Sequence, residues 1–308
     1  MIDMKGVTVR YGSLTALNNF TLELPAGEVY GFIGPNGAGK STTMKVLACL
    51  LRADSGSAHV DGMDVRTHSF PIRRIIGYMP DFLGVYDDLT VDEYLQFFAS
   101  AFEIPRKKRR AIVDGVLELT DLTEKRDSMV DGLSRGMQQR LGVARVLIHD
   151  PKVLLLDEPA SGLDPRARIE MRSLLTELRS MGKTIIVSSH ILSELHEMCT
   201  SIGIIERGTL LFSGSLDDAF KQAGVGERIA IRLEGDPENA ERVLRSIDLV
   251  DSVRKENGDM VVDLVAGTLG HHDLIERLVR SNVRIDAFRP ISTKLEDVFL
   301  RITQGKVQ

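Results

Sequence analysis

The chain has 308 residues, 43% hydrophobic and 27% charged, so it is expected to form roughly two domains of a soluble globular protein with a well-buried core. Its net charge of −5 argues against a nucleic-acid partner, which would favour a basic face. No secretory signal opens the chain and no apolar run approaches the ~18–20 residues that cross a bilayer, so any membrane work is expected to go through another polypeptide.

From the N-terminus, Val7-Thr8-Val9-Arg10-Tyr11 and Phe20-Thr21-Leu22-Glu23-Leu24 alternate apolar with polar residues, which predicts a small antiparallel sheet. Past Pro25-Ala26-Gly27, the apolar run Val29-Tyr30-Gly31-Phe32-Ile33 predicts a buried strand, and Thr43-Met44-Lys45-Val46-Leu47-Ala48 a helix. Between them stands Gly34-Pro35-Asn36-Gly37-Ala38-Gly39-Lys40-Ser41-Thr42, which fits G-x-x-x-x-G-K followed by Ser or Thr. Strand, glycine loop and helix in that order make a phosphate cradle. Gly34, Gly37 and Gly39 let several backbone N–H groups face one anion, and the helix N-terminus adds its positive end. Lys40 is expected to reach the β- and γ-phosphates of a nucleoside triphosphate, and the Ser41 hydroxyl to ligate Mg²⁺. Tyr11, at a strand end before Gly12, has a ring that could stack on a base, although a tyrosine so placed is more often a packing residue. Cys49 and Cys199, the two cysteines, lie among apolar helical neighbours and are expected to be buried thiols of a reducing compartment.

Asp54-Ser55-Gly56 and Asp61-Gly62 mark a short hairpin, and Ile75 to Asp81 predicts a strand ended by Pro80. From Leu89 the pattern is helical, opened by the capping box Thr90-Val91-Asp92-Glu93. Pro105 starts a helix carrying Arg106-Lys107-Lys108-Arg109-Arg110. Acidic residues follow this run, so a solvated helix start is expected rather than a nucleic-acid patch. Leu133-Ser134-Arg135-Gly136-Met137 opens a helix through Leu141, Ala144, Val146 and Leu147 that Asp150-Pro151 stops. Val153-Leu154-Leu155-Leu156-Asp157-Glu158, apolar up to two carboxylates, suits a strand buried on both faces of a parallel sheet. Asp164 as N-cap and Pro165 at the first position predict a helix through Leu178, ended by Gly182. Thr184–Val187 then runs as a strand to Ser189-His190, and Ile202–Phe212 forms a hairpin.

Gly224-Val225-Gly226 is a plausible linker to a separate small unit. There Ile229–Leu233, a helix capped by Asp236-Pro237, two strands about the Asn257-Gly258 turn, a helix over Asp273–Arg280 and the strand Val283–Phe288 give the order βαββαβ of a ferredoxin-like sandwich. A last amphipathic helix runs from Lys294 to Ile302. His271-His272 lacks a third ligand nearby and is expected at the surface near a helix start.

Phosphoryl transfer to water needs a cradle, a metal, a polarised water and positive charge opposite the γ-phosphate. Asp157, at the end of a buried strand, is placed to hold the Mg²⁺ shell beside Ser41. Glu158, one residue on, points elsewhere and is placed to take a proton from the attacking water. A helix N-cap is the alternative for such an acidic pair. His190, also at a strand end, could hydrogen-bond the γ-phosphate or be a surface histidine.

These residues resemble the ATP-binding subunit of an ABC transporter over about residues 2–220. Gly34–Thr42 matches the family's Walker A loop, Val153–Glu158 its Walker B strand with the catalytic glutamate, and Leu133–Met137 its signature. Ser161–Asp164 matches the D-loop, His190 the switch histidine and Tyr11 the adenine-stacking aromatic. The resemblance implies a RecA-like P-loop α/β core with antiparallel β and helical subdomains. The ATPase domain would span 1–222, its helical part about 85–150, and a small α+β unit 227–308. It implies ATP and Mg²⁺ as ligands, and two ATPase subunits, alike or different, closing head to tail so that Ser134 and Gly136 complete the partner's site. It also implies a separate multi-spanning permease, and so a cytoplasmic protein peripheral on the inner face of the cell membrane.

Two positions depart from the family. Its signature is usually LSGGQ, whereas Arg135 and Met137 stand here; Arg135 could add charge near the phosphates or face a carboxylate on the partner. Where a glutamine follows the strand in the family's Q-loop, this chain has Asp81, expected to keep a metal or coupling role. The C-terminal unit, with Leu295-Glu296-Asp297-Val298-Phe299-Leu300, resembles the accessory domain of ATPases serving ABC-2-type exporters, which implies export. A soluble ABC ATPase acting on a non-membrane partner is the alternative, but it would be expected to carry two ATPase domains or long coiled coils.

Overall fold

The alternating runs at the N-terminus pair as a hairpin. In the computed structural model, β1 (Ile2–Tyr11) lies antiparallel to β2 (Leu14–Leu24), with Ile2 opposite Leu24 and Tyr11 opposite Leu14. Both strands are longer than the alternation alone suggested. The structure describes residues 1–82, 84, 88–223, 228–234, 237–248, 250–256, 258–264, 271–291 and 295–303. The chain divides into two compact units, Met1–Gly214 and Ser215–Gln308.

In the first unit, β3 (Val29–Ile33) is buried along its whole length and leads through the glycine loop into α1 (Lys40–Leu47). Then β4 (Ser55–Val60) and β5 (Met63–Asp64) complete a four-stranded antiparallel sheet in the order β2-β1-β4-β5. A short helix, α2 (Ser69–Ile75), precedes β6 (Ile76–Met79). The strand expected from Ile75 to Asp81 is therefore shorter, with Ile75 closing a helix and Asp81 lying beyond its end. Three helices follow, α3 (Val91–Ala101), α4 (Arg106–Leu119) and α5 (Arg135–Leu147). Next come β7 (Val153–Asp157), α6 (Pro165–Ser180) and β8 (Thr184–Ser189). The unit closes with α7 (Leu192–Met198), β9 (Ser201–Glu206) and β10 (Thr209–Ser215). α2 was not anticipated, and α7 only as the helical surroundings of Cys199; each spans seven residues, too few for a helical repeat to show.

The six-stranded sheet runs β10-β9-β3-β8-β7-β6, and the pairs β9–β3, β3–β8, β8–β7 and β7–β6 are parallel. Register decides function here. Ile33 pairs with Ser189 and Asp157 with Ser188, so the glycine loop, the Asp157-Glu158 pair and His190 all leave the sheet at one edge. Ligands of open parallel sheets bind outside those carboxyl ends. Behind the edge, Leu17 and Phe20 of β2, Phe32 of β3, Met44 and Leu47 of α1 and Leu155 of β7 share one buried core. Cys199 is buried as expected, whereas Cys49 is only half-buried, with φ of 57° just after α1. Its thiol sits in the reversal that ends the helix rather than on the helix's inner face.

The second unit opens with α8 (Leu216–Gln222), whose residues fall within the range 1–222 expected of the ATPase domain. Then β11 (Arg228–Leu233), α9 (Pro237–Arg245), β12 (Val250–Glu256), β13 (Asp259–Leu264), α10 (His271–Arg280) and β14 (Ile285–Ile291) follow in turn. The strands form an antiparallel sheet in the order β12-β13-β11-β14, the ferredoxin-like arrangement. Ile229, Ile231, Leu244, Val262, Leu274 and Leu278 make its own core, and α11 (Leu295–Ile302) is the last described element. His271 is not a plain surface residue, because it packs edge-on against Phe288 with ring centroids 5.9 Å apart. The linker Gly224-Val225-Gly226, the cap Asp236, the turn residue Asn257 and Lys294 lie outside the described residues.

Candidate functional site

The glycine loop is shaped by close approach. Gly39 caps α1 with φ of 116°, and a Cβ there would stand 2.8 Å from the Ala16 carbonyl oxygen. A side chain at Gly34 would run into the Ile205 carbonyl. No acidic residue occupies the first turn of α1, so the helix itself does not offset its positive end. Lys40 folds back over the loop, its Nζ donating to the carbonyls of Gly34 at 2.6 Å and Pro35 at 3.2 Å. Burial lowers the Lys40 pKa, and the nearby carboxylates of Glu158 and Asp157 oppose that shift.

At the next strand end, Ser188 organises both acids. Its Oγ donates to Asp157 Oδ1 at 2.6 Å and accepts from the Glu158 N–H at 3.0 Å. Glu158 then turns the chain with φ of 53°, a left-handed conformation that costs a residue with a Cβ roughly 1–2 kcal/mol. The turn delivers the Glu158 carboxylate to His190, where Oε2 lies 2.7 Å from Nδ1 and also accepts from the backbone N–H at 3.4 Å. Glu158 is therefore no helix cap. That task falls to Asp164, whose Oδ1 accepts from the Ala167 N–H at 2.9 Å at the start of α6. Glu158 is largely sheltered, its side chain 12% exposed, while His190 keeps 52% of its side chain in solvent.

Tyr11, Leu14, Ala16, the loop from Asn36 to Thr42, Asp81, Asp157 and Glu158 line one cavity of about 220 Å³. Seven of the loop's nine sequence-predicted residues thus meet Asp157, Glu158 and Asp81, while Gly34 and Pro35 contribute the carbonyls that hold Lys40. Tyr78, just before that edge, has its hydroxyl pKa pushed up to about 12 by burial first and then by Asp157 and Asp81. Sequence reasoning missed Leu14 and Ala16, which are apolar and carry no motif. It also missed Ser188, whose only signal was a polar residue closing an apolar strand.

Ser134, Arg135, Gly136, Asp164 and His190 are not among the residues lining that cavity, His190 reaching it only through its contact with Glu158. Ser134 caps α5 by accepting from the Met137 N–H at 3.3 Å. A Cβ on Gly136 would be 2.9 Å from Ala167, so the N-terminal turns of α5 and α6 touch. Arg135 neither enters the cavity nor extends freely: its guanidinium lies against Gly162 of the same chain.

The family model described as ABC transporter matches residues 17–161. Along its whole length the chain is 35% identical to Nod factor export ATP-binding protein I of Burkholderia orbicola, covering 98% of that protein. The chain belongs to the ABC transporter ATP-binding proteins. This ABC subunit is also 28% identical, over 98% of its length and 98% of the relative's, to linearmycin resistance ATP-binding protein LnrL of Bacillus subtilis. Its structure is similar to a dimeric ATP-binding cassette in a post-hydrolysis state bound to ADP and Pi, with a TM-score of 0.64 and 26% identity, covering 70% of the chain and 99% of that cassette. The ABC subunit is accordingly an ATP-binding ATPase, built on the RecA-like P-loop core that the cassettes share.

Proposed function

We propose that this subunit is the motor of an exporter. Two ATPase faces close around ATP and drive a separate multi-spanning permease. The observation that carries the reading is the division of the site: the phosphate loop and acids share one cavity, while Ser134 at the α5 N-terminus stands outside it and is left to serve a partner's ATP. The relatives named for Nod factor export and linearmycin resistance support an export direction. Among the described residues no helix is long and apolar enough to cross a membrane, which fits a peripheral subunit on the inner membrane face.

In this reading Lys40 and the loop N–H groups grip the phosphates, and the Tyr11 ring stacks on adenine. A bound Mg²⁺ would supply charge neutralisation at the β- and γ-phosphates. Ser41, Asp157 and Asp81 present the hard oxygen donors that such an ion takes, and all three line the cavity. Glu158 accepts the proton of the attacking water. His190, oriented through its Nδ1 contact, turns its exposed ring edge toward the γ-phosphate. Ser134 and Gly136, with Arg135 braced on Gly162 and the segment to Asp164, form the face offered in trans. Residues 1–222 would carry this machinery, and 227–308 would be an accessory domain.

The test mixes two crippled forms, Lys40→Met and Ser134→Ala. Recovery of ATP turnover on mixing is the expected result, since one of the two composite sites then has both halves intact. No recovery in a mixture that does form dimers would sink the head-to-tail site.

A further inference from the structure

The turn that carries His190 is held by a carboxylate outside the motifs. Ser189 Oγ accepts from the Ile191 N–H at 3.0 Å and donates to Glu194 Oε2 at 3.1 Å. Glu194 sits in the first turn of α7 with its side chain only 9% exposed, and its Oε1 lies 3.2 Å from Arg168 Nε. Arg168 belongs to the first turn of α6 and donates its N–H to the Asp164 carbonyl at 3.0 Å. One carboxylate therefore joins the His190 turn to the helix that Asp164 begins. A second ion pair, Arg172 with Glu197, links the same two helices further along.

Burying a carboxylate is unfavourable unless its oxygens are matched. Burial raises the Glu194 pKa, and the Ser189 hydroxyl, Arg168 and His190 act against that rise. The surroundings thus contain one cation, Arg168, at ion-pair distance from Glu194 Oε1 without a hydrogen bond between them, and one hydroxyl, that of Ser189, the residue before His190. A carboxylate placed only to zip α6 to α7 would resemble Glu197, more exposed and without a bond to the His190 turn.

We propose that Glu194 is a positioning residue for ATP hydrolysis. Paired with Arg168, it fixes the Ser189-His190 turn against the start of α6, so that His190 meets Glu158 and stays in step with the segment ending at Asp164. Glu194 is not among the residues lining the cavity of the phosphate loop and acts through His190. The proposal rests on the roles of Glu158 and His190 given above.

The test uses the full-length chain and four variants, Glu194→Gln, Arg168→Met, the double variant and Arg168→Lys, with Glu158→Gln run beside them. Both single variants are expected to lose kcat by roughly 10- to 100-fold, the scale of a small misplacement at a reacting centre, with KM and ATP affinity within about twofold of the wild type. The double variant should be no slower than the worse single, and Arg168→Lys should regain most of the rate. Unchanged kcat, a loss shared by KM, or losses that simply multiply in the double variant would overturn the proposal. So would lower thermal stability with kcat intact, which would leave a plain helix-to-helix ion pair. If Glu158→Gln turns over normally, the catalytic reading fails and takes this one with it. If Glu158→Gln is inactive while Glu194→Gln is not impaired, only the positioning role fails.

Discussion

Lys40 is a buried ammonium whose described hydrogen bonds go to two backbone carbonyls, an arrangement poised for an anion rather than for stability. Removing the charge should cost the nucleotide more than the fold. Lys40→Met is expected to weaken ATP binding at least about 100-fold, the scale of one or two charge-assisted hydrogen bonds. Its thermal midpoint should hold or rise, because a desolvated charge is gone; calorimetry on the same sample reads both. Glu158 is a different case. Its left-handed backbone and its bond to His190 are spent on aiming one carboxylate. Glu158→Gln keeps the shape and removes the base, so single-turnover hydrolysis should slow by about 10²–10⁴ while ATP affinity is kept. Asp81 lines the same cavity, so Asp81→Ala should change hydrolysis or its stimulation by the permease. An unchanged rate in both assays would remove its metal or coupling role.

At the scale of elements, helix ends and buried ladders set the energetics. Thr90 Oγ1 accepts from the Glu93 N–H at 3.3 Å while the Thr90 N–H donates to Glu93 Oε2 at 2.9 Å, closing the box at the head of α3. Thr90→Ala should cost about 1 kcal/mol in denaturant unfolding. In the second unit, Asp263 of β13 accepts from Arg228 Nε at 2.6 Å, Ser252 Oγ at 2.7 Å and Arg254 Nη2 at 2.8 Å. Burial pushes the Asp263 pKa up, but the bonds from Arg228 and Ser252 and the charge of Arg254 outweigh it, and the net shift is downward. A depressed folded pKa contributes stability that is complete above the ordinary carboxylate value of about 3.9 and is lost as pH falls through the folded value. Asp263→Asn should therefore destabilise the protein in urea at neutral pH, and the gap from wild type should narrow below about pH 4.

For the whole molecule, the chain divides at Gly214, and the second unit has a core of its own around Ile229, Leu244, Val262 and Leu274. A chain ending at Ser215, the last residue of β10, should bind ATP with an affinity within a few-fold of full length, as read by titration calorimetry. A loss larger than about tenfold would mean that the ferredoxin-like unit supports the nucleotide site. The same division explains why the units were legible separately in the sequence, each with its own alternation of strands and helices.

Local pattern alone reached the phosphate loop, the buried strand that delivers Asp157 and Glu158, the caps at Thr90 and Asp164, and the ferredoxin-like order of the second unit. In each of these, neighbours within a few residues do the physical work, by helix capping, strand burial or turn geometry. The short helix α2 escaped, and α7 was legible only as the helical surroundings of Cys199, because seven residues hold less than two repeats. Only the tertiary structure decided that Ser188 binds both acids, that Asp81 shares a cavity with Tyr11, that Arg135 rests on Gly162 and that Glu194 meets Arg168. Those contacts depend on the register of parallel strands and on which helix lies beside which, relations between distant segments that no local periodicity encodes.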